Sequence, residues 1–236
     1  MTDTFNSINA RYVRLTVTGV YNDPTTWTSI CELRVFAPAG VSPTPTSTPT
    51  PTPSPTPTPT PTPVTSLYSE DFEDSVANGW TVVSGTWSIA TDGTKVYNTL
   101  PTDSLSRSVV GDSTWSSYSV ETKAKVNSWG NTSYRTVGIL GRYVDTNNYY
   151  VFAYEAPGNL NIKKKAAGTM TTLVTKSYAL NTGNWYNIKA VMDGSTLKLY
   201  VNGVEELTTT DNSLSTGKAG LISVYGDNRF DDFVVK

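Results

Sequence analysis

In Tyr118-Ser-Val-Glu-Thr-Lys-Ala-Lys-Val126 every second residue is apolar or small. Tyr118, Val120, Thr122, Ala124 and Val126 take one face, while Ser119, Glu121, Lys123 and Lys125 take the other. A repeat of two is the period of a strand with one side in a core and one in water. The same reading extends to both sides. Val137–Tyr143 and Tyr149–Glu155 alternate around the turn-forming Val-Asp-Thr-Asn-Asn. Leu160 and Ile162 follow the Pro157-Gly158 turn. Asp193-Gly194 joins Trp185–Met192 to Thr196–Asn202, and Asn202-Gly203 leads into Val204–Leu207. Both dipeptides tolerate positive φ, which makes them strong hairpin signals. Ala219–Tyr225 and Arg229–Val235 close the chain, and no helical period lasts beyond a turn. Residues 66–236 are therefore expected to form an all-β, two-sheet antiparallel jelly-roll sandwich.

Composition excludes several functions. Histidine is absent and Cys31 is the single cysteine, which removes His-based nucleophilic catalysis, histidine metal sites and intrachain disulfides. The net charge is −2 with the two signs mixed along the chain, so neither the basic stripe of a nucleic-acid binder nor a polybasic membrane patch is present. No apolar run approaches the ~18 residues of a membrane-spanning helix. Neither nucleic acid nor membrane is an expected partner.

Two further segments precede the sandwich. Residues 41–65 are dominated by Pro alternating with Thr or Ser. Proline fixes φ and holds its predecessor extended, so this stretch is expected to be a polyproline II spacer reaching up to ~70 Å at ~3.1 Å per residue. Within residues 1–40, Arg11–Thr18 and Ile30–Phe36 alternate as two strands, too few for a stable domain. The N-terminus lacks an apolar signal-peptide core, and residue 1 is expected not to be the natural start of its parent.

Two resemblances follow from particular blocks. Ala10–Leu15 with Trp27–Phe36 resembles the C-terminal end of a discoidin domain. In the sandwich, Asp71-Phe-Glu-Asp74, Gly79-Trp80, Gly85-Thr-Trp-Ser88, Asn147-Asn-Tyr-Tyr150, Leu199-Tyr-Val-Asn-Gly203 and Phe230-Asp-Asp-Phe-Val234 come in the order of lectin-like (concanavalin/laminin-G) jelly rolls. The domain is similar to carbohydrate-binding module family 66 and to modules appended to pectate lyases. That resemblance implies a sugar-binding role, with polysaccharide and an attached catalytic domain as partners, in a secreted protein. Fructan or pectin is the ligand class it points to.

A sugar site needs aromatic faces for the C–H surface of the ring and fixed polar groups for its hydroxyls. Arg142 interrupts the uncharged run that starts at Val137, and a hairpin would set it beside Tyr150. Tyr150, Phe152 and Tyr154 share one face, with Glu155 on the other and Asn161 nearby. Trp129 and Tyr134 sit in a Gly-, Asn- and Ser-rich loop. The expected ligand-binding residues are thus Arg142, Tyr150, Tyr154, Glu155, Trp129, Tyr134 and Asn161; tyrosines of a sandwich also serve simply as filler. Lys163-Lys-Lys165 reads as a solvated strand end or as an attractor of acidic polysaccharide. No cofactor is required by these residues. Asp71, Glu73, Asp231 and Asp232 are a candidate structural Ca²⁺ set if the first and last strands lie side by side, although alternation puts Asp231 and Asp232 on opposite faces.

No catalytic residue is assigned. Related sandwich hydrolases carry an E-x-D-x-E run, and this chain has none. A sugar hydrolase of the same fold, with Glu155 as its acid, and a laminin-G-like protein-adhesion module remain the other two classes.

Overall fold

The computed structural model describes residues 66–236. The expected discoidin-like end (1–40) and Pro-Thr spacer (41–65) lie outside the described residues. Fifteen strands follow one another: β1 (Tyr68–Glu70), β2 (Thr81–Ser84), β3 (Trp87–Asp92), β4 (Thr94–Thr99), β5 (Ser106–Val110), β6 (Tyr118–Trp129), β7 (Arg135–Asp145) and β8 (Asn148–Ala156). They continue as β9 (Asn159–Ala166), β10 (Thr169–Ser177), β11 (Trp185–Asp193), β12 (Thr196–Val201), β13 (Val204–Thr210), β14 (Lys218–Val224) and β15 (Gly226–Val235). No helix occurs among the described residues.

The strands form two antiparallel sheets. The first runs β13-β12-β11-β6-β15-β4-β3, with β1 pairing the end of β15 (Tyr68 opposite Val235). The second runs β10-β9-β8-β7-β14-β5-β2. The alternation read in Tyr118–Val126 is observed: Val120, Ala124 and Val126 enter the core between the sheets with Ile139, Phe152 and Ile162. Asn202-Gly203 adopts the expected turn, with φ of +50° and +81°, whereas the other hairpin turns one residue later, at Gly194-Ser195, with Asp193 paired to Thr196 and φ +53° at Gly194. At one end Phe72, Trp80, Tyr97 and Phe233 pack ring against ring, with centroids 4.8–6.1 Å apart. A buried polar knot ties the sheets together nearby: Asn228 Nδ2 donates to Thr136 O (2.9 Å) and Ser223 Oγ (2.8 Å).

Three local features depart from the sequence pattern. Strand β10 is an edge strand, mostly exposed on both faces, so it carries no hydrophobic alternation. In β7 the register slips between Gly141 and Asp145, and Arg142 has φ +44°. Such a bulge re-aims the side chain. In β15 the register slips after Asp231, with φ +49° at Asp232.

Candidate functional site

The seven-stranded sheet has apolar residues on both faces. Val137, Ile139, Tyr150, Phe152 and Leu160 face the core. On the opposite face a second cluster forms from Val109, Leu140, Val151, Ala153 and Ile222, with Tyr143 and Tyr149. Strand pairing sets the polar members of that outer face. Lys163 lies opposite Val151, Asn161 opposite Ala153 and Lys165 opposite Tyr149, while Glu155 pairs with Thr136 on β7. Gly138 lies opposite Ala153 on the same face; a Cβ there would strike the Phe152 carbonyl and the Ala153 side chain, so close strand packing requires glycine at this point.

Glu155 is the hub of the polar cluster. It accepts from Lys163 Nζ with both oxygens (2.6 Å each), from Asn161 Nδ2 (2.9 Å) and more weakly from Tyr134 Oη (3.4 Å). The Lys163 ammonium also lies 5.9 Å from the Tyr134 ring centre. Tyr134 is half-exposed and presents an aromatic surface to solvent. Burial of its hydroxyl, with the Glu155 charge beside it, raises the phenol pKa. Thr136 is 1 % exposed and its Oγ1 is buried without a hydrogen-bond partner, next to Glu155 in the sheet.

Six residues before Glu155 on β8, Tyr149 extends the face. Arg107 and Lys165 approach its ring centre at 5.7 and 5.8 Å, and Tyr143 stacks on it at 5.7 Å. Burial raises the Tyr149 phenol pKa, against the opposing pull of Arg107.

The residues expected from sequence fall into three groups. Glu155, Asn161 and Tyr134 meet on the outer face. Trp129 and Tyr154 instead stack on one another (6.3 Å) on the core side, beneath Arg135. Arg142 and Tyr150 are neighbours, as expected, but both are buried and hold loops. Arg142 donates to the carbonyls of Ser116 (2.9 Å), Leu214 (2.9 Å) and Gly194 (2.8 Å). Tyr150 donates to Asp211 (2.6 Å) and accepts from the Leu214 amide (3.2 Å). Burial, then the Asp211 bond, pushes the Tyr150 phenol up to about 12. The expectation of a ligand-facing Arg142–Tyr150 pair is therefore corrected. The bulge at Arg142 turns its guanidinium away from the outer face that Leu140 occupies.

The four acids do converge, because the β15 bulge brings Asp231 and Asp232 into one cavity of about 380 Å³ with Asp71, Glu73, Thr94, Lys123 and Trp185. Each carboxylate has a protein partner, that of Asp71 being the Glu73 amide (3.2 Å). Asp231 accepts from Thr94 and the Asp232 amide, Asp232 pairs with Lys123 (2.6 Å), and Glu73 accepts from the Lys95 amide. Among the described residues no three acids form a metal-ligand group, which corrects the expected Ca²⁺ set. Arg107, Tyr143 and Tyr149 were not singled out from sequence. Only the outward alternation of Tyr149 with Val151 and Glu155 pointed to one of them.

Residues 92–234 match the family described as the concanavalin A-like lectin/glucanases superfamily. The chain belongs to that superfamily. An extracellular exo-alpha-L-arabinofuranosidase of Streptomyces chartreusis is 28% identical over 177 residues, 72% of this chain and 20% of that protein. The chain thus spans one fifth of the length of this curated relative. The carbohydrate-binding module CBM66 of Bacillus subtilis superposes with a TM-score of 0.58 at 20% identity, over 67% of this chain and 95% of that one. Domain 4 of an extracellular arabinanase of Geobacillus stearothermophilus, solved with arabinotriose, gives 0.54 at 18% identity, over 72% and 91%. At these identities the two structures share the fold of this lectin-like sandwich.

Proposed function

We propose that residues 66–236 are a non-catalytic carbohydrate-binding module whose glycan lies on the outer face of the seven-stranded sheet, over Tyr134, Glu155, Asn161 and Lys163. The observation that carries this reading is the cluster itself. An exposed aromatic ring borders a carboxylate, an amide and an ammonium held in fixed positions. Sugar recognition calls for that combination. The superfamily and the relatives, a carbohydrate-binding module, a domain of an extracellular arabinanase and part of an extracellular arabinofuranosidase, support it.

In this reading 41–65 is a spacer after the end of a discoidin-like domain at 1–40, and the parent is a secreted polysaccharide-degrading enzyme that the module holds on its substrate. Fructan and pectin are the ligands ranked first; arabinan joins them through the arabinotriose bound by one structural relative. Glycosidases typically use two carboxylates ~5–9 Å apart. Among the described residues of this cluster Glu155 is the single acid, and Lys163 neutralises it, which favours holding over cutting. The test is a panel of immobilised levan, pectin, arabinan and xylan. Retention on at least one without release of reducing ends is expected. Release of sugar would favour a hydrolase, and retention on none would refute the module.

A further inference from the structure

We infer that the Arg107–Tyr149–Lys165 corner of the same face is a carboxylate subsite, so that the bound polymer is a uronate-bearing glycan rather than a neutral one; this rests on the glycan-binding reading above. The two neighbouring lysines have their counter-charges: Lys163 pairs with Glu155 and Lys164 with Asp211. Arg107 and Lys165 form no salt bridge among the described residues. Lys165 donates to the Thr146 carbonyl (3.0 Å). Arg107 makes two long bonds, to Ser84 Oγ (3.3 Å) and Thr146 O (3.5 Å). A guanidinium carries five N–H donors, and this one belongs to a residue only 7 % exposed.

A largely buried cation without a counter-charge is costly unless a partner supplies one. The Asp145 carboxylate, held by the Asn147 amide (2.7 Å) and the Asn148 side chain (2.9 and 3.0 Å), feels Lys165 as a nearby positive charge but forms a salt bridge with neither cation. The two cations arise on β5 and β9, which are separated by three strands in the sheet. They meet only because both reach over Tyr149. An arginine fork with an ammonium beside it matches a carboxylate bidentately. The stacked Tyr143–Tyr149 pair is buried, and the two cations pack against its Tyr149 ring. Along β8, Tyr149 and Glu155 are about 20 Å apart at ~3.4 Å per residue, so one oligosaccharide of several rings spans both subsites.

The experiment is calorimetric titration of the full chain with oligogalacturonate, the same oligomer fully methyl-esterified, and neutral arabinan and levan oligomers. A charge-assisted contact is worth a factor of about ten or more. The acid is expected to bind at least tenfold more tightly than its ester, with the difference shrinking at high salt. Arg107→Gln and Lys165→Gln are each expected to erase that preference. The comparison of acid with ester uses the unmutated protein, so a variant that fails to fold does not spoil it. Equal binding of acid and ester, or tighter binding of neutral oligomers lost in Glu155→Gln, would overturn the carboxylate subsite and leave the glycan-binding reading standing. Binding of no glycan at all would overturn both.

Discussion

Replacing Arg142 by alanine separates a structural arginine from a ligand-binding one. The guanidinium makes three hydrogen bonds of 2.8–2.9 Å to carbonyls of three loops, and the residue is 2 % exposed. Bonds to a charged group contribute roughly 1.5–3 kcal/mol each, but bonds sharing one side chain do not add fully. With partial rehydration of the freed carbonyls, a loss of about 3–5 kcal/mol is expected, at the top of the range for single substitutions. In a domain of about 150–250 residues each kcal/mol moves Tm by roughly 2–4 °C, so Tm should fall by about 6–20 °C. Arg142→Lys should recover little, because an ammonium cannot reproduce a planar fork aimed at three acceptors. Urea and thermal unfolding followed by tryptophan fluorescence measure the loss, and glycan retention well below the new Tm should be unchanged. A stability change under 1 kcal/mol together with lost retention would refute this reasoning and restore Arg142 to the binding site.

Other outcomes follow from the same geometry. Tyr134→Ala, at a half-exposed ring, should leave stability within about 0.5 kcal/mol while weakening glycan binding about tenfold; undiminished affinity would remove Tyr134 from the site. Burial alone would raise the Asp211 carboxyl, but bonds from Lys164, Tyr150 and Ser213 outweigh it and hold its pKa well below the usual carboxylate range. A pKa depressed in the folded state stabilises above the unfolded value of ~4 and loses that contribution as pH falls below it. The urea midpoint should therefore drop below pH 4 more steeply in the wild type than in Asp211→Asn, and equal slopes would contradict the clamp. Gly111 has φ +96° and a Cβ there would meet the Trp115 ring, whereas Gly194, at φ +53°, faces open space. Gly111→Ala should cost about 2–4 kcal/mol against about 1 kcal/mol for Gly194→Ala, a ranking that denaturant titration checks directly.

The strands were legible where burial on one face imposes a repeat of two, as in Tyr118–Val126, and where Asp-Gly or Asn-Gly marks a hairpin. Strand β10 was not, because a polar edge strand has no buried face to write into its sequence. The pairing of the first and last strands also held, with Glu70 opposite Phe233. Two of the failures at the site trace to bulges. Strict alternation put Arg142 with Leu140 and separated Asp231 from Asp232; a single residue at positive φ reversed each assignment. Glu155, Asn161 and Tyr134 were reachable because they lie on one hairpin, its neighbouring strand and an adjoining loop. Arg107 was not, since it meets Tyr149 only through the non-local order β5-β14-β7-β8, which no local pattern encodes.

Amide chemical-shift mapping of the full chain, titrated with whichever oligosaccharide binds, locates the ligand most directly. Perturbations are expected along Tyr149–Glu155 and Asn161–Lys165 and around Tyr134–Thr136. Shifts confined to the eight-stranded sheet, or to the 193–195 and 211–214 loops held by Arg142 and Tyr150, would contradict the placement of the glycan on this face.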